Sequence, residues 1–231
     1  MRAYILCGGF GTRLRSVIKD AQKAVVDIQG RPFLSLVLDQ LRDAGVTEAV
    51  LCAFYRADQL AELLPSLATE SGLSLKLVIE PQPMGTGGAI LHALREVPPD
   101  GRYLVLNADT FLDQQAYRLA LASSQDMLVA AHVDDRSRYG SLCVGEDRQL
   151  LALEEKGIAG EGWVNAGVYA FACDTLDEFP VISCSMEKDI LTRLIQRNRL
   201  FVSDYSGPFI DIGTPDSLSA FQSAFQGINQ Q

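Results

Sequence analysis

The run Gly8-Gly9-Phe10-Gly11-Thr12-Arg13-Leu14-Arg15 directly follows the apolar stretch Ala3–Cys7. Glycines behind a buried strand let backbone N–H groups close on a phosphate, and the two arginines add positive charge. Such a turn suits an anionic nucleotide, although a plain strand-to-helix turn with surface arginines has the same composition. Two familiar phosphate loops are excluded. The dinucleotide fingerprint needs glycine where Leu14 stands, and a Walker-type loop needs Gly-Lys-Ser/Thr; the sequence has neither.

A second cluster, Glu80-Pro81-Gln82-Pro83-Met84-Gly85-Thr86-Gly87-Gly88, again follows an apolar run and opens a helical pattern. Glycines so close together at a helix start cost stability unless something must approach the backbone. Together the clusters point to a nucleotide crevice, with the base against Gly8, Gly9 and the Glu80–Gly87 stretch. Glu80 could accept from the N1–H and N2–H₂ donors of guanine, whereas Gln82 would suit a pyrimidine.

Two carboxylates end apolar runs. Leu104-Val105-Leu106-Asn107-Ala108-Asp109 places Asp109 at a strand end, and Phe209-Ile210-Asp211-Ile212 places Asp211 on a strand expected to be buried. A carboxylate so flanked needs a partner or a metal. Two acidic ligands plus substrate phosphates is how Mg²⁺ is usually held, although a strand-end Asp also serves as a plain helix cap. Lys23 and Lys156 complete the set, with a solvated strand-end lysine as the ordinary alternative for each.

The elements that must position these groups alternate. Ala3–Cys7, Ala49–Phe54, Leu75–Ile79, Tyr103–Leu106 and Met127–Ala131 read as strands buried on both faces. Between them lie amphipathic helical patterns over Phe33–Ala44, Gln59–Leu67, Thr86–Leu94 and Gln114–Ser123. Beyond Asp134 the rhythm changes to strands at Ser141–Val144, Leu150–Leu153, Val164–Phe171, Phe201–Tyr205 and Phe209–Ile212. One helix spans Met186 to about Gln196, and a last one has Thr214 as N-cap and Pro215 as first residue. The expected fold class is α/β, a Rossmann-like, mostly parallel but mixed sheet flanked by helices. With no linker, residues 1–231 read as one domain, about 1–134 binding nucleotide and about 135–231 binding the second substrate.

The chain has 231 residues, with 20 Lys plus Arg against 29 Asp plus Glu, a formal charge of −9. That field excludes wrapping nucleic acid or an anionic membrane and leaves phosphate binding to a few placed cations. The five scattered cysteines include no C-x-x-C pair, and four sit in apolar stretches, so buried free thiols are expected rather than zinc or disulfides. No segment reads as a signal peptide or membrane span, which places the protein in the cytoplasm. An exposed apolar edge would allow a homodimer.

The ordered set Gly8-Gly9-x-Gly11-Thr12-Arg13-Leu14, Lys23, Gly85-Thr86-Gly87-Gly88, Asn107-Ala108-Asp109, Glu155-Lys156-Gly157, Asn165-Ala166-Gly167 and Asp211-Ile212-Gly213 resembles the sugar-1-phosphate nucleotidylyltransferases over nearly the whole chain. Gly30-Arg31-Pro32-Phe33-Leu34, Arg138-Tyr139-Gly140 and Met186-Glu187-Lys188-Asp189 are similar to the D-glycero-D-manno-heptose 1-phosphate guanylyltransferases, which make GDP-heptose for bacterial surface polysaccharide. The resemblance implies the nucleotide-diphospho-sugar transferase fold and the reaction of GTP with a sugar-1-phosphate to give a GDP-sugar and pyrophosphate. It also implies that Asp109 and Asp211 hold Mg²⁺, that Arg13 binds the leaving pyrophosphate portion, and that Lys23 neutralises oxygens at the reacting centre. Cys7, Gly8, Gly9, Gly11, Thr12, Arg13, Glu80, Gln82, Gly85, Thr86, Gly87 and Asn107 would form the nucleotide side. Tyr139, Gly140, Glu155, Lys156, Asn165 and Glu187 would form the sugar-phosphate side.

The chain departs from the family at Gln22 and Ala24, where proline usually flanks the lysine, and at Ala108, where glycine is usual. The missing prolines should loosen the Lys23 segment. The rival readings are a mannose-1-phosphate guanylyltransferase, a uridylyltransferase of an amino-sugar phosphate, and an inactive NDP-sugar-binding regulatory homologue.

Overall fold

Arg2–Leu6 forms strand β1, whose three middle residues are buried because apolar side chains alternate onto both faces of the sheet. The computed structural model describes residues 1–11, 14, 21–154 and 156–228. After β1 come a single 3₁₀ turn at Lys23–Val25, a short hairpin of β2 (Asp27–Ile28) and β3 (Arg31–Pro32), and helix α1 (Phe33–Asp43). Then follow β4 (Glu48–Ala53), α2 (Ala57–Ser71), β5 (Ser74–Ile79), α3 (Gly85–Glu96), β6 (Tyr103–Asn107), β7 (Thr110–Leu112) and α4 (Gln114–Ala122). The remainder is β8 (Met127–Val133), β9 (Ser141–Val144), β10 (Leu150–Glu154), β11 (Gly162–Phe171), a π turn at Met186–Leu191 running into α5 (Thr192–Gln196), β12 (Phe201–Tyr205), β13 (Phe209–Asp211) and α6 (Pro215–Ile228).

One sheet carries both halves of the chain in the order β10-β9-β11-β6-β1-β4-β5, with β8 on β11 and β12 on β8. Strands β1, β4, β5 and β6 are mutually parallel, while β11 runs antiparallel to β6 and β8. The chain leaves β1 for β4 and β5, then returns to place β6 on the other side of β1. That reversal opens a crevice at the carboxyl ends of β1 and β6, the place where open α/β sheets bind ligands. Helices cover both faces: Leu34, Leu38, Leu60 and Tyr117 pack on one, and Ile90, Met186, Ile190 and Leu194 on the other.

Four expectations change. Leu75–Ile79 is an edge strand with Ser74, Lys76 and Ile79 exposed, because among the described residues no strand pairs with its outer side. Only Cys7 and Cys52 are buried thiols; Cys143 and Cys173 are exposed and Cys184 is half-buried. The helix expected from Met186 starts as a π turn, where Ser185 accepts from the Lys188 N–H at 3.2 Å and Glu187 C=O accepts from the Thr192 hydroxyl at 3.1 Å. Strand β13 is only half-buried, since among the described residues its one partner strand is the three-residue β7, which sequence periodicity did not reveal.

Candidate functional site

Two cavities open along the crevice. The first, of about 390 Å³, lies at the ends of β1, β4 and β5 and is lined by Cys7, Gly8, Gly9, Phe10, Lys23, Phe54, Glu80, Gly85 and Thr86. Glu80 is buried at its wall, where its Oε2 accepts the Met84 N–H at 2.9 Å and its Oε1 faces Gly8. A Cβ on Gly8 would stand 2.5 Å from that oxygen, so glycine is required for the carboxylate to keep its place. Burial raises the Glu80 carboxyl above the ordinary carboxylate range, with the Met84 N–H and His92 pulling the other way. Burial and nearby Asp109 raise the Cys7 thiol, which therefore stays neutral and contributes shape rather than charge.

The second cavity, of about 630 Å³, lies over β7, β10, β11 and β13. Its lining includes Tyr139, Gly140, Lys156, Asn165, Glu187, Lys188 and Asp211. Asn165 donates through Nδ2 to the Tyr169 hydroxyl at 2.9 Å and accepts the Gly167 N–H at 2.9 Å. Here β11 changes register between Asn165 and Tyr169, and Gly167 adopts φ +72° directly against the Asn107 amide. Only a residue without Cβ leaves room for Asn107 at that bulge.

The cavities share Asn107, Asp109 and Glu187. Asp109 and Asp211 are far apart in the chain, yet the antiparallel β7–β13 ladder pairs Asp211 with Thr110, and the Ile212 N–H donates to the Asp109 carbonyl at 3.0 Å. Between the carboxylates sits the Lys23 ammonium, 2.5 Å from Asp109 Oδ2 and 3.9 Å from Asp211 Oδ1. Asp211 Oδ1 also accepts the Gly213 N–H at 2.6 Å, and Arg138 approaches Asp211 Oδ2 to 3.9 Å. Among the described residues no group of three or more His, Cys, Asp or Glu could hold a metal ion. The donor set is thus a carboxylate pair, Asp109 bordering both cavities and Asp211 the second, not a protein cage.

Several expected site residues fall elsewhere. Gln82 is exposed and lines neither cavity. Gly87 faces the protein itself: its N–H donates to the Cys184 carbonyl at 3.0 Å, and a Cβ there would stand 2.8 Å from Cys184 Sγ. The glycine cluster at the start of α3 therefore admits the chain segment around Cys184, which also takes the Gly88 N–H at 3.2 Å. Lys156 lies two residues beyond the end of β10, exposed at the second cavity's rim. Gln22 is buried, donates through Nε2 to the Cys7 carbonyl and accepts the Ala24 N–H at 2.5 Å. Gly11 is described but lines neither cavity, while Thr12, Arg13 and Glu155 lie outside the described residues.

Sequence reasoning missed Phe10, Phe54, Lys188 and Arg138 as members of the site. Phe10 packs edge-on against Phe54 with ring centroids 6.0 Å apart at the mouth of the first cavity. Lys188 was legible only as part of Met186-Glu187-Lys188-Asp189, since nothing in an exposed lysine marks it as lining a pocket. Glu187 joins the halves: its Oε2 accepts from the Thr86 hydroxyl at 3.2 Å and the Ser185 hydroxyl at 3.0 Å.

The model of the nucleotidyl transferase family matches residues 2–227. A D-glycero-alpha-D-manno-heptose 1-phosphate guanylyltransferase of Campylobacter jejuni is 33% identical over 96% of this chain and 98% of its own. The crystal structure of HddC from Yersinia pseudotuberculosis is similar at a TM-score of 0.85 and 33% identity, covering 97% of this chain and 99% of that one. A second structure of HddC, complexed with GMP-PN, is similar at 0.82 and 32% identity with the same coverage. A mannose-1-phosphate guanylyltransferase catalytic subunit beta of Drosophila pseudoobscura is 30% identical over 93% of this chain but 59% of its own length.

Proposed function

The chain belongs to the nucleotidyl transferase family, and on that footing we propose that it transfers GMP from GTP to D-glycero-D-manno-heptose 1-phosphate, releasing pyrophosphate and GDP-heptose for surface polysaccharide. The observation that carries this reading is the meeting of two cavities around Asp109, with Lys23 and Asp211 beside it. One cavity suits a base and ribose; the other, ringed by Tyr139, Asn165, Lys156 and Lys188, suits a polyhydroxylated phosphate.

The attacking group is a phosphate oxygen already ionised at neutral pH, so the site needs no general base. His92 and His132 line neither cavity, in keeping with that requirement. The obstacle is the approach of two anions, and catalysis consists of neutralising and aligning them. Lys23 supplies positive charge at the junction, and Lys156 and Lys188 hold the sugar phosphate. Arg13 is assigned to the pyrophosphate portion by the sequence resemblance. Glu80 accepts from the guanine N1–H and N2–H₂ donors, and Gly8 and Gly9 leave the base its space.

Asp109 and Asp211 fit Mg²⁺, which takes one or two carboxylates and completes its shell with water and phosphate oxygens. The Lys23 ammonium between them marks that spot as one built for positive charge. The ion, when bound, supplies Lewis-acid neutralisation of the α-phosphate.

Pyrophosphate release by the purified protein with Mg²⁺ tests the reading, using GTP, UTP, dTTP or CTP against heptose 1-phosphate or mannose 1-phosphate. Turnover with GTP and heptose 1-phosphate is expected. A preference for UTP overturns the guanylyl assignment, and a preference for mannose 1-phosphate moves the enzyme to the activity named for the Drosophila relative.

A further inference from the structure

We propose that Gln22 is the positioning residue for Lys23, a polar bracket that holds the lysine's turn against the glycine strand end and so aims its ammonium between the two aspartates. The proposal rests on the function given above. Gln22 is 1% exposed and every polar group on it is used. Its side-chain Nε2 donates to the Cys7 carbonyl, its Oε1 accepts the Ala24 N–H at 2.5 Å, and its own N–H donates to Gln59 Oε1 on α2 at 2.8 Å. Its carbonyl accepts the Val25 N–H at 3.1 Å, closing the 3₁₀ turn that carries Lys23.

These partners also fix which way the amide points, since a carbonyl must meet its NH₂ and an N–H its oxygen. Cys7 is itself pinned, its N–H donating to the Cys52 carbonyl at 2.8 Å. The bracket therefore ties Lys23 to β4 through β1 and to α2 through Gln59. A side chain at position 22 that lacked either amide function would leave the Cys7 carbonyl or the Ala24 N–H buried without a partner. Lys23 makes its two ion-pair contacts from the residue directly after this clamp, so any drift of the turn moves the ammonium relative to both carboxylates.

Backbone geometry supplies the discriminating test. Gln22 sits at φ −68° and ψ 132°, angles that proline adopts unaided. Gln22→Ala is expected to lower kcat by about tenfold to a hundredfold while the KM for the sugar phosphate stays within about twofold, the signature of a misplaced charge rather than lost substrate binding. Gln22→Pro keeps the backbone direction but loses the side-chain hydrogen bonds and the N–H that Gln59 accepts, so its kcat is expected to stay at least about tenfold below the parent. A kcat within about twofold of the parent for either Gln22→Ala or Gln22→Pro overturns the proposal.

Amide hydrogen exchange separates this proposal from the function. The Ala24 N–H should be protected in the parent protein and exchange on the order of tenfold faster in Gln22→Ala. If no substrate pair yields pyrophosphate, the functional reading fails while this exchange still reports the bracket. Equal exchange rates in parent and variant overturn the bracket itself.

Discussion

The two cavities are built in different ways. The first cavity, proposed for the nucleotide, lies at the ends of neighbouring parallel strands, and Cys7, Gly8, Phe54 and Glu80 each stand within a residue or two of a strand end. The sugar cavity is stitched from distant pieces: the bulge in β11, the π turn at Met186–Leu191 and the β7–β13 ladder. Most of the first cavity's wall comes from the ends of β1, β4 and β5 and the turns that follow them. The second exists only once long-range pairing is complete, and that pairing delivers Asp211 to the shared boundary. Damage should therefore propagate differently: point changes on the nucleotide side alter affinity, and those on the stitched side alter alignment.

The largest effect belongs to the boundary. Asp109→Asn should cut kcat by about a thousandfold, because it removes the carboxylate that holds Lys23, and that is proposed to hold Mg²⁺, where the two anions meet, while keeping side-chain shape. Nucleotide binding, followed calorimetrically, should survive. Near-normal turnover would mean that chemistry occurs inside one cavity and that their meeting is incidental.

Next comes Gly167→Ala, aimed at the stitching. The new Cβ is placed against the Asn107 amide at a backbone angle that alanine resists, costing about 1–3 kcal/mol of stability. Asn107 borders both cavities, so kcat should fall by about tenfold to a hundredfold with a smaller change in the KM for GTP. A variant with unchanged kcat would show that the bulge is mere architecture.

Glu80 probes the other cavity. Burial lifts its carboxyl above 4.5, so this group favours the fold below the usual carboxylate range and loses that contribution as pH rises through the raised value. Guanine recognition asks for the opposite, ionised form, so the KM for GTP should climb as pH falls through the same window. Glu80→Gln should abolish that limb, raise the KM for GTP by about tenfold or more, and leave stability at neutral pH equal or higher. A pH-independent KM in the parent enzyme would detach Glu80 from the base.

What could be read from sequence divides along the same line. The parallel strands were legible because burial on both faces makes them continuous apolar runs, and Gly8, Glu80 and Asp109 sit where those runs stop. Strand β7 has three residues and no periodicity of its own, and it is recognisable only by its partner β13. Gln22 looked like a lost proline because a hydrogen-bond bracket leaves no pattern in composition. Lys188 and Arg138 are exposed cations whose place in the site shows only in the fold, Lys188 by the cavity it lines and Arg138 by its approach to Asp211.

The smallest effect on turnover separates the glycine clusters. At Gly9 an added methyl group would meet nothing within 4 Å, whereas at Gly88 it would stand 2.5 Å from the Ile182 carbonyl and 2.9 Å from Met84 Cβ. Gly9 borders the open nucleotide cavity; Gly88 is roofed by the chain that also receives its N–H at Cys184. Gly9→Ala should raise the KM for GTP a few-fold with no change in Tm. Gly88→Ala should cost about 1–3 kcal/mol in unfolding experiments, with the KM for GTP unchanged in the protein that remains folded. A few-fold rise in KM in Gly88→Ala at full stability would return that glycine to the ligand. A run of glycines reports that something comes close to the backbone, and here the visitor is the protein's own chain at one turn, while the other stands open to the cavity proposed for the nucleotide.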